Sequence, residues 1–246
     1  SRTFGTPTDQ NKWTYSCWIK RADVGSAMAA GLSTAAASYG DESNLEFNAG
    51  ADLLAFGSSN GSSWTTSLQS DKVFRDSSAW YHLMAVLDTD QASSDDRWKW
   101  YVNGTQITSF STNTRSGQST NHYTNSAQSH TIGSRADNSL KFDGYMAMVI
   151  FVDGQALGPT DFGKVNDDGV WVPQNYTGTY GNNGYKLTFD SSQTNGIGHD
   201  SSGNGNNWTA TGFDEYSADV KVFFPVTGTA STAALGTTLR GTTPNG

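Results

Sequence analysis

The chain alternates between apolar and polar positions in short runs. "KWTYSCWIKR" (12–21) sets Trp13, Tyr15, Cys17 and Ile19 on one face and Thr14, Ser16, Trp18 and Lys20 on the other. That period of two belongs to a strand with one face toward a core. "NLEFNAG" and "DLLAFGS" read as two short strands joined through Gly50, and "SSWTTSLQS" (62–70) as another. "AWYHLMAVLDT" (79–89) is the most apolar run and reads as a central strand. In "DRWKWYVNGTQIT" (96–108), Trp98, Trp100 and Val102 point one way and Tyr101, with Arg97 and Lys99, the other. Asn103-Gly104 supplies the type I′ turn of a hairpin there.

Further strands are expected at "SHTIGS" (129–134), "LKFDGYMAMVIFVDGQAL" (140–157), "NGYKLTFD" (183–190) and "NWTATGF" (207–213). "GPTDFGK" (158–164) reads as a single helical turn. About ten strands, and no amphipathic pattern long enough for a helix of ten residues, predict an all-β chain. The turn frequency predicts a two-sheet antiparallel β-sandwich, a jelly roll. The sandwich is expected over residues 1–225. The Thr/Gly/Ala-rich segment 226–246 cannot bury much surface alone and reads as a linker or arm.

Only 15% of the 246 residues are charged, but aromatics reach 12% and sit within the periodic segments, so a packed core is expected rather than disorder. The formal net charge of −8 lacks the basic footprint that nucleic-acid binding requires. No run is apolar enough for membrane insertion as a helix. Cys17 is the single cysteine, so no intramolecular disulfide forms, and its place in an apolar strand reads as a buried structural thiol. The chain opens on "SRTFGTPT" without Met, which reads as a piece trimmed from a longer protein.

Four segments in order, "WTYSCWIK", "SAWYHLMAVLD", "WKWYVNGTQI" and "HTIGS…LKFDGYMAMVIFVDGQAL", resemble the concanavalin A-like lectin/glucanase superfamily in its laminin G-like form. The likeness runs over roughly residues 12–213, and its strength lies in the order of the pieces. "DGQAL", "GVWVPQNYTGTYGNNGYKLTFD" and "DSSGNGNNW" follow one another as in lectin-like domains of virion proteins of tailed, often marine, phages. The resemblance implies a non-enzymatic virion module on the particle surface. Its implied partners are host or environmental glycans and other virion subunits, with a homo-oligomer among the arrangements open to it. A purely structural assembly role and a polysaccharide hydrolase are the alternatives.

A retaining hydrolase needs two carboxyl groups about 5 Å apart. "ESNLE" places Glu42, Asn44 and Glu46 on one strand face, but Asn44 stands where the family's hydrolases carry an Asp. The stretch reads as a solvated edge strand. His82 reads as a packing residue in its apolar strand, and no nucleophile motif accompanies it. Sugar binding needs exposed aromatic faces, and the candidates are Trp18, Trp64 and Tyr101. Each competes with burial under a loop or a neighbour.

The remaining chemistry is calcium at "DSSGNGNNW". Asp200, Ser202 and Asn204 with Gly205 stand at offsets 1, 3, 5 and 6, like the start of an EF-hand loop. Offset 12 is Thr211, so a Ca²⁺ cage would draw on a distant Asp143, Asp153 or Asp190. The alternative is an Asx-turn cluster in which these side chains bond backbone amides.

Overall fold

The computed structural model describes residues 1–35, 42–59, 63–211 and 239–240. Two antiparallel sheets stack face to face. The first runs, in spatial order, β1 (Arg2–Thr3), β11 (Ser129–Ile132), β3 (Met28–Ala35), β4 (Ser43–Phe47), β5 (Leu53–Ser59), β6 (Trp64–Val73) and β10 (Phe110–Thr114). The second runs β15 (Tyr185–Leu187), β12 (Gly144–Asp153), β2 (Lys12–Arg21), β7 (Tyr81–Asp88), β8 (Trp98–Val102) and β9 (Thr105–Ile107). A two-residue strand β16 (Leu239–Arg240) pairs with β12, and β13 (Gly163–Val165) and β14 (Trp171–Pro173) form a separate hairpin. Strand order jumps repeatedly along the chain, as a jelly roll requires. The expected all-β sandwich is therefore the fold. The longest helix among the described residues has four residues, Ser94–Arg97, and none could cross a membrane. Most of the expected arm at 226–246, and its boundary at 225, lie outside the described residues.

Alternation decides which side chains meet between the sheets. Trp13, Tyr15, Cys17 and Ile19 of β2 all face inward, as do Trp98, Trp100 and Val102 of β8. They meet Leu45, Phe47, Phe56 and Leu68 of the first sheet, and the Trp98 ring stacks on Phe56 with centroids 4.1 Å apart. Cys17 is fully buried, and burial pushes its thiol up to about 12, so it packs as an apolar group. Asn103 (φ 48°) and Gly104 (φ 78°) make the expected hairpin turn, both in the left-handed region. Arg21, wholly buried, pairs with Asp52 at 2.8 Å and ties β2 to the β4–β5 turn of the opposite sheet.

Two expectations are corrected. Segment 42–46 is not an edge strand: β4 lies inside the first sheet between β3 and β5, and Asn44 is buried. Segment 207–213 forms no strand over its described residues. The Trp208 amide donates to Gly198 and the Thr209 amide to Ser1, so the backbone is held by single bonds rather than a ladder. Trp208 itself enters the core against Tyr185, with ring centroids 4.9 Å apart.

Candidate functional site

The outer faces of the two sheets differ. On the second sheet, Met84, Val86, Ile150 and Val152 point outward and form an apolar cluster with Phe162 and Tyr176. Those two rings, stacked at 5.1 Å, belong to the segment after β12, which folds back as a cover. Trp171 completes the cover. Its indole N–H donates to His82 Nδ1 at 3.0 Å, which leaves the His82 proton on Nε2, 2.8 Å from Ser16 Oγ. A Cβ on Gly163 would stand 2.4 Å from the Trp171 ring and one on Gly104 2.7 Å, so both positions must lack a side chain for the indole to seat. Burial lowers His82 to about 4.

This cover settles two of the three aromatic candidates. Trp18 does face away from the main core, but it is 7% exposed and its ring stacks on His82 at 5.1 Å. Tyr101 is half-buried against the Met84–Tyr176 cluster. Neither offers the open face expected of a stacking platform: Trp18 is sealed against its own sheet's His82, and Tyr101 packs on the cluster that Phe162 and Tyr176 complete.

The outer face of the first sheet is polar and unevenly buried: Ala29, Ser33 and Asn44 are sealed, while Trp64 stands in solvent. Ladder registers align Ser33, Asn44, Gly57 and Ser67 across β3, β4, β5 and β6. Ala29, Glu46, Ala55 and Gln69 form a neighbouring row on the same face. Trp64 is 52% exposed, and its six-membered ring lies over Gly57, with Cζ3 2.5 Å from where a Cβ would stand. A glycine in mid-strand thus makes the seat for the indole. On the other side of Asn44, Arg135 Nη2 donates to Glu42 Oε1 at 3.0 Å, and its Nε stands 3.8 Å from Glu46 Oε2. Burial raises the Glu46 carboxyl, with Arg135 opposing and Glu42 adding to the rise. Asn44 is 2% exposed, yet its Nδ2 makes no hydrogen bond among the described residues, and neither does Ser33 Oγ.

The Asp200 loop lies elsewhere and is closed on itself. Asp200 Oδ1 accepts the Lys186 and Ser202 amides, each at 2.9 Å, and Oδ2 accepts Ser202 Oγ–H and the Asn206 amide, each at 2.8 Å. Asn204 Nδ2 donates to the Gly181 and Gly184 carbonyls. Gly203 and Gly205 take φ of 94° and 73°. This is the Asx-turn cluster: each carboxylate oxygen already faces two donors, so the set does not fit Ca²⁺. Asp153 is committed to the Thr8 and Asn183 amides and to Asn125, and Asp190 to Ser192. No group of three His, Cys, Asp or Glu that could hold a metal occurs among the described residues. A shallow depression of about 610 Å³ beside the loop is lined by Tyr180, Asn182, Ser202 and Asn204, with backbone between them.

Arg135 and Gly57 escape the sequence reading. Arg135 lies 93 residues from Glu42 with no local pattern to link them. Gly57 does carry a signal, as a glycine inside a strand that neighbours a tryptophan across a short turn.

A two-sheet antiparallel jelly roll is the architecture that lectin-like β-sandwiches share with other jelly-roll domains. Residues 3–161 match the laminin G model of the Concanavalin A-like lectin/glucanases superfamily, and the chain belongs to that superfamily. Among solved structures it is similar to a protein of Bacteroides ovatus ATCC 8483 provisionally described as carbohydrate binding, with 17% identity and a TM-score of 0.54. That match covers 84% of this chain and 53% of the other, so the chain spans about half the length of that relative. It is also similar to the native heptameric SAP-like pentraxin of Limulus polyphemus, with 19% identity, a TM-score of 0.43, and coverage of 63% and 70% of the two chains. No curated protein matches significantly.

Proposed function

We propose that this chain is a non-catalytic carbohydrate-binding module carried on the surface of a virion. The observation that carries the binding reading is Trp64, half in solvent at the β6 side of a polar sheet face. Aromatic faces take the C–H faces of sugars, and planar amides, carboxylates and guanidinium groups take the hydroxyls. The provisional description of the Bacteroides ovatus relative lends the same reading weight. The virion setting rests on the order of "DGQAL", "GVWVPQNYTGTYGNNGYKLTFD" and "DSSGNGNNW", which resembles phage particle proteins.

Hydrolysis fits less well. Glu42 and Glu46 share a face, and the raised Glu46 carboxyl suits a general acid. However, Arg135 reaches both carboxylates. Its guanidinium holds the space in which a scissile bond would have to lie. A glycan array probed with the native protein tests the proposal, with retention on at least one glycan and no release of reducing ends expected. Loss of all glycan retention, together with failed particle assembly in a Trp64→Ala virion, would show an assembly module instead.

A further inference from the structure

We infer that the β12 edge at Tyr145–Met146 is an exchange site for a strand, and that copies of this chain held together trade Leu239–Arg240 across it. The inference makes no use of the carbohydrate reading and concerns how one copy of the chain holds another.

The site follows from the two edges of β12. One edge is spent on β2, from Gly144 opposite Arg21 to Asp153 opposite Trp13. The other is divided. β15 pairs only with Val149, Ile150 and Phe151. Just before them Met148 takes φ of 47°, where the β12–β2 register shifts. A bulge bends its strand and interrupts regular pairing, so β15 covers one half of this edge and the Tyr145–Met146 half falls to another strand. Leu239–Arg240 pairs with it antiparallel, Tyr145 opposite Arg240 and Met146 opposite Leu239. A strand edge offers main-chain donors and acceptors to any segment that arrives in register. The site is therefore indifferent to which copy supplies the strand.

The length of chain before the strand points to a second copy. The sandwich is last anchored at Trp208 and Thr209, whose amides donate to the Gly198 and Ser1 carbonyls. Close after Gly198, Asp200 bridges to Leu187, and Leu187 pairs with Val149 on β12. Strand spacings and residue rises along that route put Trp208 within roughly 30 Å of the exchange site. Residues 210–238, fully extended, would reach roughly 90–100 Å. The connection is thus about three times longer than its own site requires. A chain of this size has a radius of gyration of roughly 18 Å, so the same connection also reaches the site on a touching neighbour.

Exchange costs little once two copies meet. Each chain carries a formal charge of −8, so the bodies repel, but residues 226–238 that lead to the strand carry no charged group. Reciprocal exchange makes the same ladder bonds as self-pairing, twice over and about a two-fold axis. After the first arm has crossed, the second crosses within the pair, at an effective concentration on the order of mM. No bond is lost, and two ties between copies are gained.

Disulfide trapping tests the exchange in the full chain. Tyr145→Cys and Arg240→Cys are made in separate proteins, mixed at about 1 mM and mildly oxidised. Residues opposite each other in an antiparallel ladder lie within disulfide reach, and Cys17, fully buried, stays out of the reaction. A covalent dimer joined between positions 145 and 240, located by peptide mass spectrometry, is expected. Adding Leu239→Pro to the Arg240→Cys protein removes a ladder donor. It is expected to abolish that dimer while thermal unfolding stays near native. A 145–240 bond that forms only within a chain carrying both cysteines overturns the exchange. A dimer that survives Leu239→Pro overturns strand docking as its cause, and no 145–240 bond in any mixture or chain overturns the site itself.

Discussion

The two outer faces of the sandwich start from the same architecture and end differently. The face of the second sheet presents Met84, Val86, Ile150 and Val152, and the chain spends Phe162, Trp171 and Tyr176 covering them. The outward positions of the first sheet are polar, with Ser33 and Asn44 buried and Glu46 and Gln69 partly so, and its outward tryptophan stands half in water. An antiparallel sheet tolerates one wet face only if the outward positions of its strands are polar. Aromatic content therefore does not mark the binding face of such a fold. An outward aromatic surrounded by apolar neighbours is destined for a cover, whereas one surrounded by polar neighbours can stand in water.

The largest effect should come from stripping the covered face. Trp171→Ala removes the indole from between Gly104 and Gly163 and leaves His82 Nδ1 buried without its donor. A loss of about 2–3 kcal/mol is expected, since the ring is partly buried and its removal also orphans a buried nitrogen, and denaturant unfolding measures it. A loss under about 1 kcal/mol would mean that the cover contributes little to the fold.

Acid should act on the same face next. In the unfolded chain a histidine takes its proton near pH 6.5, but burial lowers His82 to about 4. Between those values the unfolded state binds more protons. The stability carried by neutral His82 is therefore complete above about pH 6.5 and is lost as pH falls toward 4, up to about 3 kcal/mol in all. His122 and His130, also lowered to about 4 by burial, add to the fall from within the sandwich. His130 keeps its low value although the Gln128 and Thr124 carbonyls face both its nitrogens. Because protonation of His82 Nδ1 expels the Trp171 N–H, amide-exchange protection around residues 163–173 is expected to drop first on acidification. Uniform loss across both sheets would break the contrast.

What was legible in the sequence follows the same division. β2 was readable to its ends because Trp13, Tyr15, Cys17 and Ile19 recur at every second position within Lys12–Arg21. β3, "MAAGLSTA", was not, since small side chains carry no alternation and its register shifts between Ala29 and Ser33. β13 and β14, three residues each, are too short for any period to show. Alternation also placed Trp18 outward correctly, but it says nothing of what lies on top. The cover arrives 89 residues after His82 and leaves no mark in either segment. Trp64 was found for a local reason, the Gly/Ser turn before it, whereas Glu42 and Arg135 meet only through the topology.

The smallest expected change in stability is also the sharpest test of the contrast. Trp64→Ala removes a ring that rests on Gly57 but is 52% in water, so it opens no sealed cavity and orphans no hydrogen bond among the described residues. Unfolding free energy is expected to move by less than about 1 kcal/mol, against about 2–3 for Trp171→Ala. Removal of a ring of the same size from the two faces thus separates stability from binding. The covering tryptophan, Trp171, should report in denaturant and the exposed Trp64 in glycan titration. If Trp64→Ala instead destabilised the chain as much as Trp171→Ala, the indole would be part of the fold's own packing. The outer face of the first sheet would then hold no residue retained for a ligand.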